Sequence, residues 1–455
     1  DEQVLAKGST VSVKDYGANG TDKKVDTAAI QKALNAIKKA GGGTVTVPKG
    51  TYYIDRSLVI YSNTKLHLDD SATIKRSSNF LDKTYDDTIG DYVYGPMLKN
   101  YQNTEDVLDG YGYDYSNNIT IEGGTWNGGA GKAGTTSEKP GNLFQIYCAT
   151  GVTIQKVKLR SVCGLHHIRL ASVQDAKISN VAFSEFVYYK WADYDGIESG
   201  MEDDSDLNAG ASITSEALQL DNYSATNICN EIEVTGCTFQ DVLSGVGNHR
   251  SKVGGSISKI GAENIKITNN TFQNVANTCI NLYDFGAVDI SGNTAQNVRS
   301  FARVYKGKDC VISNNNIAAL TSGNQYDVFR ISNGAKLTVT GNTISGAGNT
   351  AVKVESKSTA DITANTFKGA ISYNAVGVEN STANVGRNTF TEGSIGNIAV
   401  YFIGSKGSIS NNTISTAKVR PIGVQNASSI TQINGNNVSG GRSQGIYVLN
   451  STVQQ

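Results

Sequence analysis

An acid, an imidazole and a phenol close three successive strand-like segments. Asp221 ends LQLD (218–221), His249 ends VGNH (246–249) and Tyr283 ends INLY (280–283). If these segments stack as adjacent rungs about 4.8 Å apart, the three side chains share one face. An Asp beside a His can move a proton to or from a bound substrate's oxygen, and a Tyr can act as a base. Donors suited to hydroxyls and carboxylates surround them: His166, His167, Arg169, Gln219, Asn248, Arg250, Asn281 and Arg303. Tyr305 and Trp191 offer ring faces, and Asp195 a further acid. Acid-assisted hydrolysis by paired carboxylates would need a second acid facing the first. Glu216 is the nearest in sequence, with Asp193, Asp195 and Glu198 close behind.

Such residues need a scaffold that repeats. The pattern I-x-x-N-T-[FI] recurs as ITNNTF (267–272), ISGNTA (290–295), VTGNTI (339–344), ITANTF (362–367) and ISNNTI (409–414). Looser copies are VTGCTF (234–239), ISNNNI (312–317), VGRNTF (385–390) and INGNNV (433–438), and earlier ones IEGGTW (121–126), IQKVKL (154–159) and ISNVAF (178–183). The fourth residues from Asn270 to Asn436 are 22 to 27 residues apart. A period near 23 belongs to a solenoid. Asn tolerates the left-handed backbone of a tight turn, and its amide can bond the same residue of the next coil. A leucine-rich repeat would need Leu at fixed places, and a propeller a period near 40.

Each repeat also carries a strand with alternating apolar residues: FQIY (144–147), HIRLA (167–171), LQLD, VGNH, INLY, ARVY (302–305), FRIS (329–332) and VKVE (352–355). Alternation puts Gln145, Arg169, Gln219, Gly247, Asn281, Arg303, Arg330 and Lys353 in one outward column. Tyr147, Ala171, Asp221, His249, Tyr283, Tyr305, Ser332 and Glu355 form a second. Outward positions are expected to face solvent. The largest break in the spacing falls between Val181 and Cys237, where an insertion near 184–216 is rich in acids and aromatics. Long loops on a rigid scaffold often carry function. Its run MEDDSD (201–206) lacks the EF-hand pattern, so it reads as a solvated acidic loop and no metal or other cofactor is expected.

The bulk composition agrees. With 49 Gly, 4 Pro and 8% aromatic residues, the chain favours strands and tight turns. A net charge of -1 gives no nucleic-acid footprint. No run of 18 apolar residues predicts a membrane span. The six cysteines form no CxxC pair, so zinc and thiol redox chemistry are not expected; Cys229 and Cys237 either pair or remain free thiols. Asn-x-Thr/Ser sequons, as at Asn118 and Asn269, arise from the turn motif itself. The chain opens on Asp1 rather than Met, which reads as a mature secreted chain. Residues 26–40 predict an amphipathic helix with Ile30, Ala33, Leu34 and Ile37 on one face, Asp26 as N-cap and Gly41–Gly43 as its stop. Such a helix would lid the open end of a solenoid. At the other end GIYVLNSTVQQ (445–455) reads as a strand without a cap, so further domains C-terminal to it are expected.

The opening VSVKDYGANGTDKKVDTAAIQKALNAIKKAGGGTVTVPKGTYYI (11–54) resembles the start of the pectate-lyase-like superfamily. Through GLHHIRL (164–170), EALQLD (216–221) and GVGNH (245–249) the chain also resembles cell-surface β-helix proteins of Gram-positive bacteria. The resemblance implies an all-β fold: a right-handed parallel β-helix, a single-stranded solenoid with an N-terminal capping α-helix. Residues 1–45 would form the cap and 46–455 the solenoid, together one structural domain. It also implies a secreted or cell-surface protein with a carbohydrate partner, but no single reaction. The polygalacturonase signatures N-T-D, G-H-G and R-I-K and the epimerase signature D-P-H are absent, so those mechanisms do not carry over.

Three readings follow. The favoured one is a glycoside hydrolase in which Asp221, oriented by His249, works with Glu216 or an acid of the 193–198 loop. The second is a uronate lyase or epimerase, with His249 or Tyr283 as base and Arg169, Arg303 or Gln219 neutralising the carboxylate. The third is a glycan-binding surface adhesin without turnover.

Overall fold

The computed structural model describes residues 5–86, 91–104, 107, 112–131, 139–187, 215–222, 227–248, 252–253, 256–257, 261–426, 428–442 and 445–454. His249, Arg250 and the loop residues Trp191, Asp193, Tyr194, Asp195 and Glu198 lie outside them, as does MEDDSD (201–206). The chain divides into two compact units, Asp1–Ala262 and Glu263–Gln455.

In the first unit a strand, Ser9–Ser12, and a 3-10 turn, Val13–Tyr16, precede the helix Thr27–Lys39, whose apolar stripe Ile30, Ala33, Leu34 and Ile37 is fully buried. Asp26 sits at its N-cap, but its side chain makes no capping bond. Its Oδ1 instead accepts the backbone N–H of Asn19 at 2.7 Å, so the expected cap is replaced by a tie to the preceding loop. Gly41 then takes a left-handed φ of 82°, which turns the chain towards its first long strand pairings.

Those pairings are parallel. Along one face Gly43–Val47, Thr64–Leu68, Ser116–Glu122, Phe144–Gln155, Ile168–Ser179 and Cys229–Thr235 stack in order. A second face stacks Gly50–Ile54, Ala72–Arg76, Thr125–Asn127, Lys158–Arg160, Ala182–Ser184 and Thr238–Gln240. A third joins Leu58–Val59, Leu98–Lys99, Phe144–Gln155, Ile168–Ser179, Glu216–Asp221 and Ser244–Gly247. Three faces wound about one apolar interior make a parallel β-solenoid. Its core is filled by alternate side chains, with Phe183 stacked on Phe239 at 4.5 Å.

The second unit repeats the same three faces with greater regularity. In its interior Phe367 stacks on Phe390 at 4.6 Å. Its Asn turns form a continuous ladder. The side-chain amide of Asn270 donates to Asn293 Oδ1, and the relay continues through Asn315, Asn342, Asn365, Asn388 and Asn412 to Asn436, each step 2.9 to 3.1 Å. Each oxygen also accepts the backbone N–H of the preceding coil's Asn. The ladder residues do not themselves supply the left-handed turn. The residue before each does: Asn269, Gly292, Asn314, Gly341, Ala364, Arg387, Asn411 and Gly435 all have φ between 54° and 67°. That kink swings the next side chain into the coil, where all but Asn436 are buried.

All six cysteines are buried and free, so Cys229 and Cys237 do not pair. Among the described residues, no helix is long and apolar enough to cross a membrane.

Candidate functional site

Two outward columns of the first unit hold its polar chemistry. Strand register aligns Lys99 with Gln145, Gln145 with Arg169, Arg169 with Gln219 and Gln219 with Gly247. Beside them Tyr147, Ala171 and Asp221 align in the second column. The described members of both columns match those read from alternation.

Asp221 and Arg169 form an ion pair across adjacent rungs. Arg169 donates to Asp221 Oδ2 from Nε at 3.0 Å and from Nη2 at 2.9 Å. Gln219 Nε2 donates to the same oxygen at 2.9 Å. The guanidinium also lies over the Tyr147 ring, 5.6 Å from its centroid. Burial works against the charge on Arg169, but Tyr147 and Asp221 outweigh it and hold its pKa above the ordinary guanidinium value. Tyr147 in turn stacks on Tyr101, with centroids 5.0 Å apart and planes 12° from parallel. Lys99 Nζ sits 5.1 Å from the Tyr101 ring and donates to Gln102 O at 2.9 Å. Burial pushes the Lys99 pKa down. The result is one layered site: ammonium, two stacked phenols, guanidinium, carboxylate.

The expected solvent exposure of these columns does not hold. Every residue of Glu216–Asp221 is buried, on both faces of the strand. Gln219 is 2% exposed, and its Oε1 has no hydrogen-bond partner. Asn248 is fully buried. Buried polar groups are normally paired, so among the described residues Gln219 Oε1 is an exception in this strand.

Other expected residues are placed elsewhere. Glu216 shares strand parity with Leu218 and Leu220, whereas Asp221 shares it with Gln219. The two carboxylates therefore point to opposite faces. Five residues of extended chain separate them by about 16 Å, beyond the spacing that either hydrolytic geometry uses. His167 is not at the surface. It is fully buried, meets Phe183 edge-to-face at 5.8 Å and contacts Ser184 O through Nε2 at 2.8 Å. Burial pushes its pKa down to about 4, so it is a neutral core residue. His166 is also buried, with Nδ1 2.6 Å from the Glu216 carbonyl and its backbone N–H on Asn142 Oδ1. Both histidines hold strands together rather than face a ligand.

In the second unit Asn281 aligns with Arg303, and Tyr283 with Tyr305, as the columns require. The two tyrosine rings lie 5.3 Å apart. Asn281 and Arg303 are 1% and 5% exposed, again contrary to a solvated face. Further along, Arg330 Nε donates to Glu355 Oε1 at 2.6 Å and Lys353 reaches Glu355 Oε2 at 3.2 Å. Asp327, 8% exposed, accepts from Asn349 Nδ2 and the Thr350 N–H. Burial raises its pKa to about 6, against the pull of Lys353.

Sequence reasoning missed Lys99, Tyr101 and Asp327. Lys99 lies in a two-residue strand, in an early coil without the Asn motif. The segment MLKNY (97–101) still carried a signal, since it places a Tyr two residues after a polar outward position, as FQIY does.

Comparison with known proteins fits this geometry. Residues 327–454 match a right-handed β-helix region. The plasmin and fibronectin-binding protein A of Streptococcus pneumoniae is 25% identical over 317 residues, covering 63% of this chain but 39% of that protein. Alginate lyase 7 of Azotobacter vinelandii is 38% identical over 142 residues, which is 24% of this chain and 16% of that enzyme. The chain thus spans well under half the length of these relatives. The crystal structure of PfbA, a surface adhesin of Streptococcus pneumoniae, superposes with a TM-score of 0.61 at 21% identity, covering 90% of both chains. A tailspike of an E. coli bacteriophage, solved with a pentasaccharide, superposes with a TM-score of 0.62 at 13% identity, covering 97% of this chain and 78% of the tailspike. These structures share the fold. Residues 10–297 match the family described as rhamnogalacturonase A/epimerase, pectate lyase-like, and the chain belongs to that family.

Proposed function

We propose that this chain is a glycan-binding surface protein that holds an acidic sugar at the Lys99–Tyr101–Tyr147–Arg169–Asp221 layer without cleaving it. The observation that carries the reading is the state of Asp221. Three N–H groups from Arg169 and Gln219 converge on one of its oxygens. A carboxylate so held orients a guanidinium; it is poorly disposed to give up or attack with that oxygen. Glu216, its expected catalytic partner, faces the other way. Tyr101 and Tyr147, 4% and 2% exposed, stack on each other and back the two cations from within the core. The cations Lys99 and Arg169 suit a uronate or another acidic group. Likeness to a plasmin and fibronectin-binding protein and to a surface adhesin supports a place on the cell surface.

The test is a titration of the chain with neutral and uronate oligosaccharides, followed by assays for new reducing ends and for the ultraviolet absorbance of unsaturated uronate. The reading expects binding of uronates, weakened by Arg169→Ala, and no product of either kind. New reducing ends that vanish in Asp221→Asn would restore the hydrolase. Absorbing products would restore the lyase. Silence on glycans with binding to plasmin or fibronectin would replace the sugar by a protein.

A further inference from the structure

In the second unit the outward column through Asn281, Arg303, Arg330 and Lys353 continues over the last coils, remote in sequence from the Arg169 site. Register aligns Lys353, Gly377, Tyr401, Gly423 and Tyr447 on five successive strands. Their chain neighbours Val376, Val378, Val400, Phe402, Ile422 and Val424 are fully buried in the core. Alternation therefore turns Tyr401 outward, and register with Gly423 puts Tyr447 on the same side, although its own neighbours Ile446 and Val448 are 39% and 43% exposed. Tyr401 and Tyr447 are two rungs apart, about 9.6 Å.

Glycine occupies the rungs between and before them. Tyrosine on a solvent face is unremarkable in a strand, but glycine there weakens the strand and often marks a close approach by a ligand or another backbone. A Cβ at Gly423 would lie 3.2 Å from Tyr401 Cδ2 and 3.0 Å from Ile398 Cδ1, so the Tyr401 ring leans over that glycine. At Gly377 a Cβ would meet only Thr350 Cγ2 at 3.5 Å and Asn374 Nδ2 at 3.8 Å, both ordinary contacts. Any side chain there would occupy space that is open beside Tyr401.

Both rings are held. The Tyr401 hydroxyl donates to Gln425 Oε1 at 3.1 Å. The Arg420 guanidinium lies 3.8 Å from the Tyr447 ring centroid. Tyr373, on the coil before Tyr401, is 48% exposed and adds a third ring to this face. Rings fixed in advance lose little entropy when a ligand stacks on them.

We infer that this column is a second glycan-binding site, taking a linear polysaccharide along the solenoid axis with one sugar ring on Tyr401 and another on Tyr447. Two rungs approximate the length of a disaccharide unit in an extended chain, so alternate sugars meet successive tyrosines. The inference stands on residues of the second unit alone and does not need the Arg169 site.

The experiment is a calorimetric titration of the full chain with hexasaccharides of β-1,4-glucan, galacturonate and mannuronate. Variants are Tyr401→Ala, Gly377→Leu and, for the first unit, Arg169→Ala. Gly377→Leu adds bulk at a place that tolerates a Cβ, so it blocks the column without unfolding it; circular dichroism melts check this. The expected result is a binding event that survives Arg169→Ala and is weakened about tenfold by Tyr401→Ala and by Gly377→Leu, as loss of one aromatic contact implies. Binding abolished by Arg169→Ala and indifferent to both second-unit variants would overturn the column and leave the first site standing. Binding lost only in the second-unit variants would support the column and overturn the first site. No binding of any of the three probes would overturn the column as a glycan site.

Discussion

Arg169 and Asp221 lie on adjacent strands one column apart, and the guanidinium crosses that gap to set two of its nitrogens within 3.0 Å of Asp221 Oδ2. Neither residue is placed by sequence proximity, since 52 positions separate them. Their meeting depends on the stacking of the strands Ile168–Ser179 and Glu216–Asp221.

Removing the carboxylate charge should therefore cost stability before it costs any chemistry. Asp221→Asn leaves a half-buried guanidinium without its counter-ion, and is expected to destabilise the first unit by about 1–3 kcal/mol. Urea denaturation of the variant checks this. An unchanged midpoint would mean that the pair is energetically idle.

In the Asn ladder, Asn342→Ala strips the acceptor used by both the backbone N–H and the side-chain amide of Asn315. It also deletes the donor to Ile312 O and Asn365 Oδ1. The expected loss is about 2–4 kcal/mol, from groups left buried and unpaired. By contrast Ala364→Gly should stabilise the chain by about 1 kcal/mol, because Ala364 holds a left-handed φ of 55° that glycine adopts freely. Paired denaturation curves decide both.

His167 gives the first unit an acid-sensitive term. Its pKa is pushed from 6.5 down to about 4, so between those values the unfolded chain binds the proton and the folded chain does not. Stability should fall as pH drops from about 6.5 towards 4. His167→Gln, which keeps a donor for Ser184, should flatten that slope when denaturation is followed across the same range.

Asp327 works in the opposite direction in the second unit. Its pKa rises from 3.8 to about 6, so the folded chain binds the proton more tightly and this residue's contribution worsens as pH rises through that window. Asp327→Asn keeps the acceptor for Asn349 and Thr350 and should be more stable than the parent at pH 7, by roughly 2 kcal/mol. The difference should disappear near pH 4. A destabilised variant at pH 7 would show that the charge is needed by Lys353 and Arg330.

The sequence by itself determined the solenoid, its period, the Asn ladder from Asn270 to Asn436 and the columns that align Gln145, Arg169 and Gln219. Each of these follows from local rules: strand alternation, and a turn motif repeated until its copies must stack. Alternation also held the answer for Glu216, whose parity with Leu218 and Leu220 places it away from Asp221. Tertiary structure decided the rest. It buried Gln219, Asp221 and Asn281, brought Lys99 and Tyr101 from an irregular coil into the site, and drew His167 into the core beside Phe183. The physical reason is that periodicity tells which face of its own strand a side chain takes. What lies against that face, and how far burial moves a charge, is set by residues tens of positions away that meet only when the coils close.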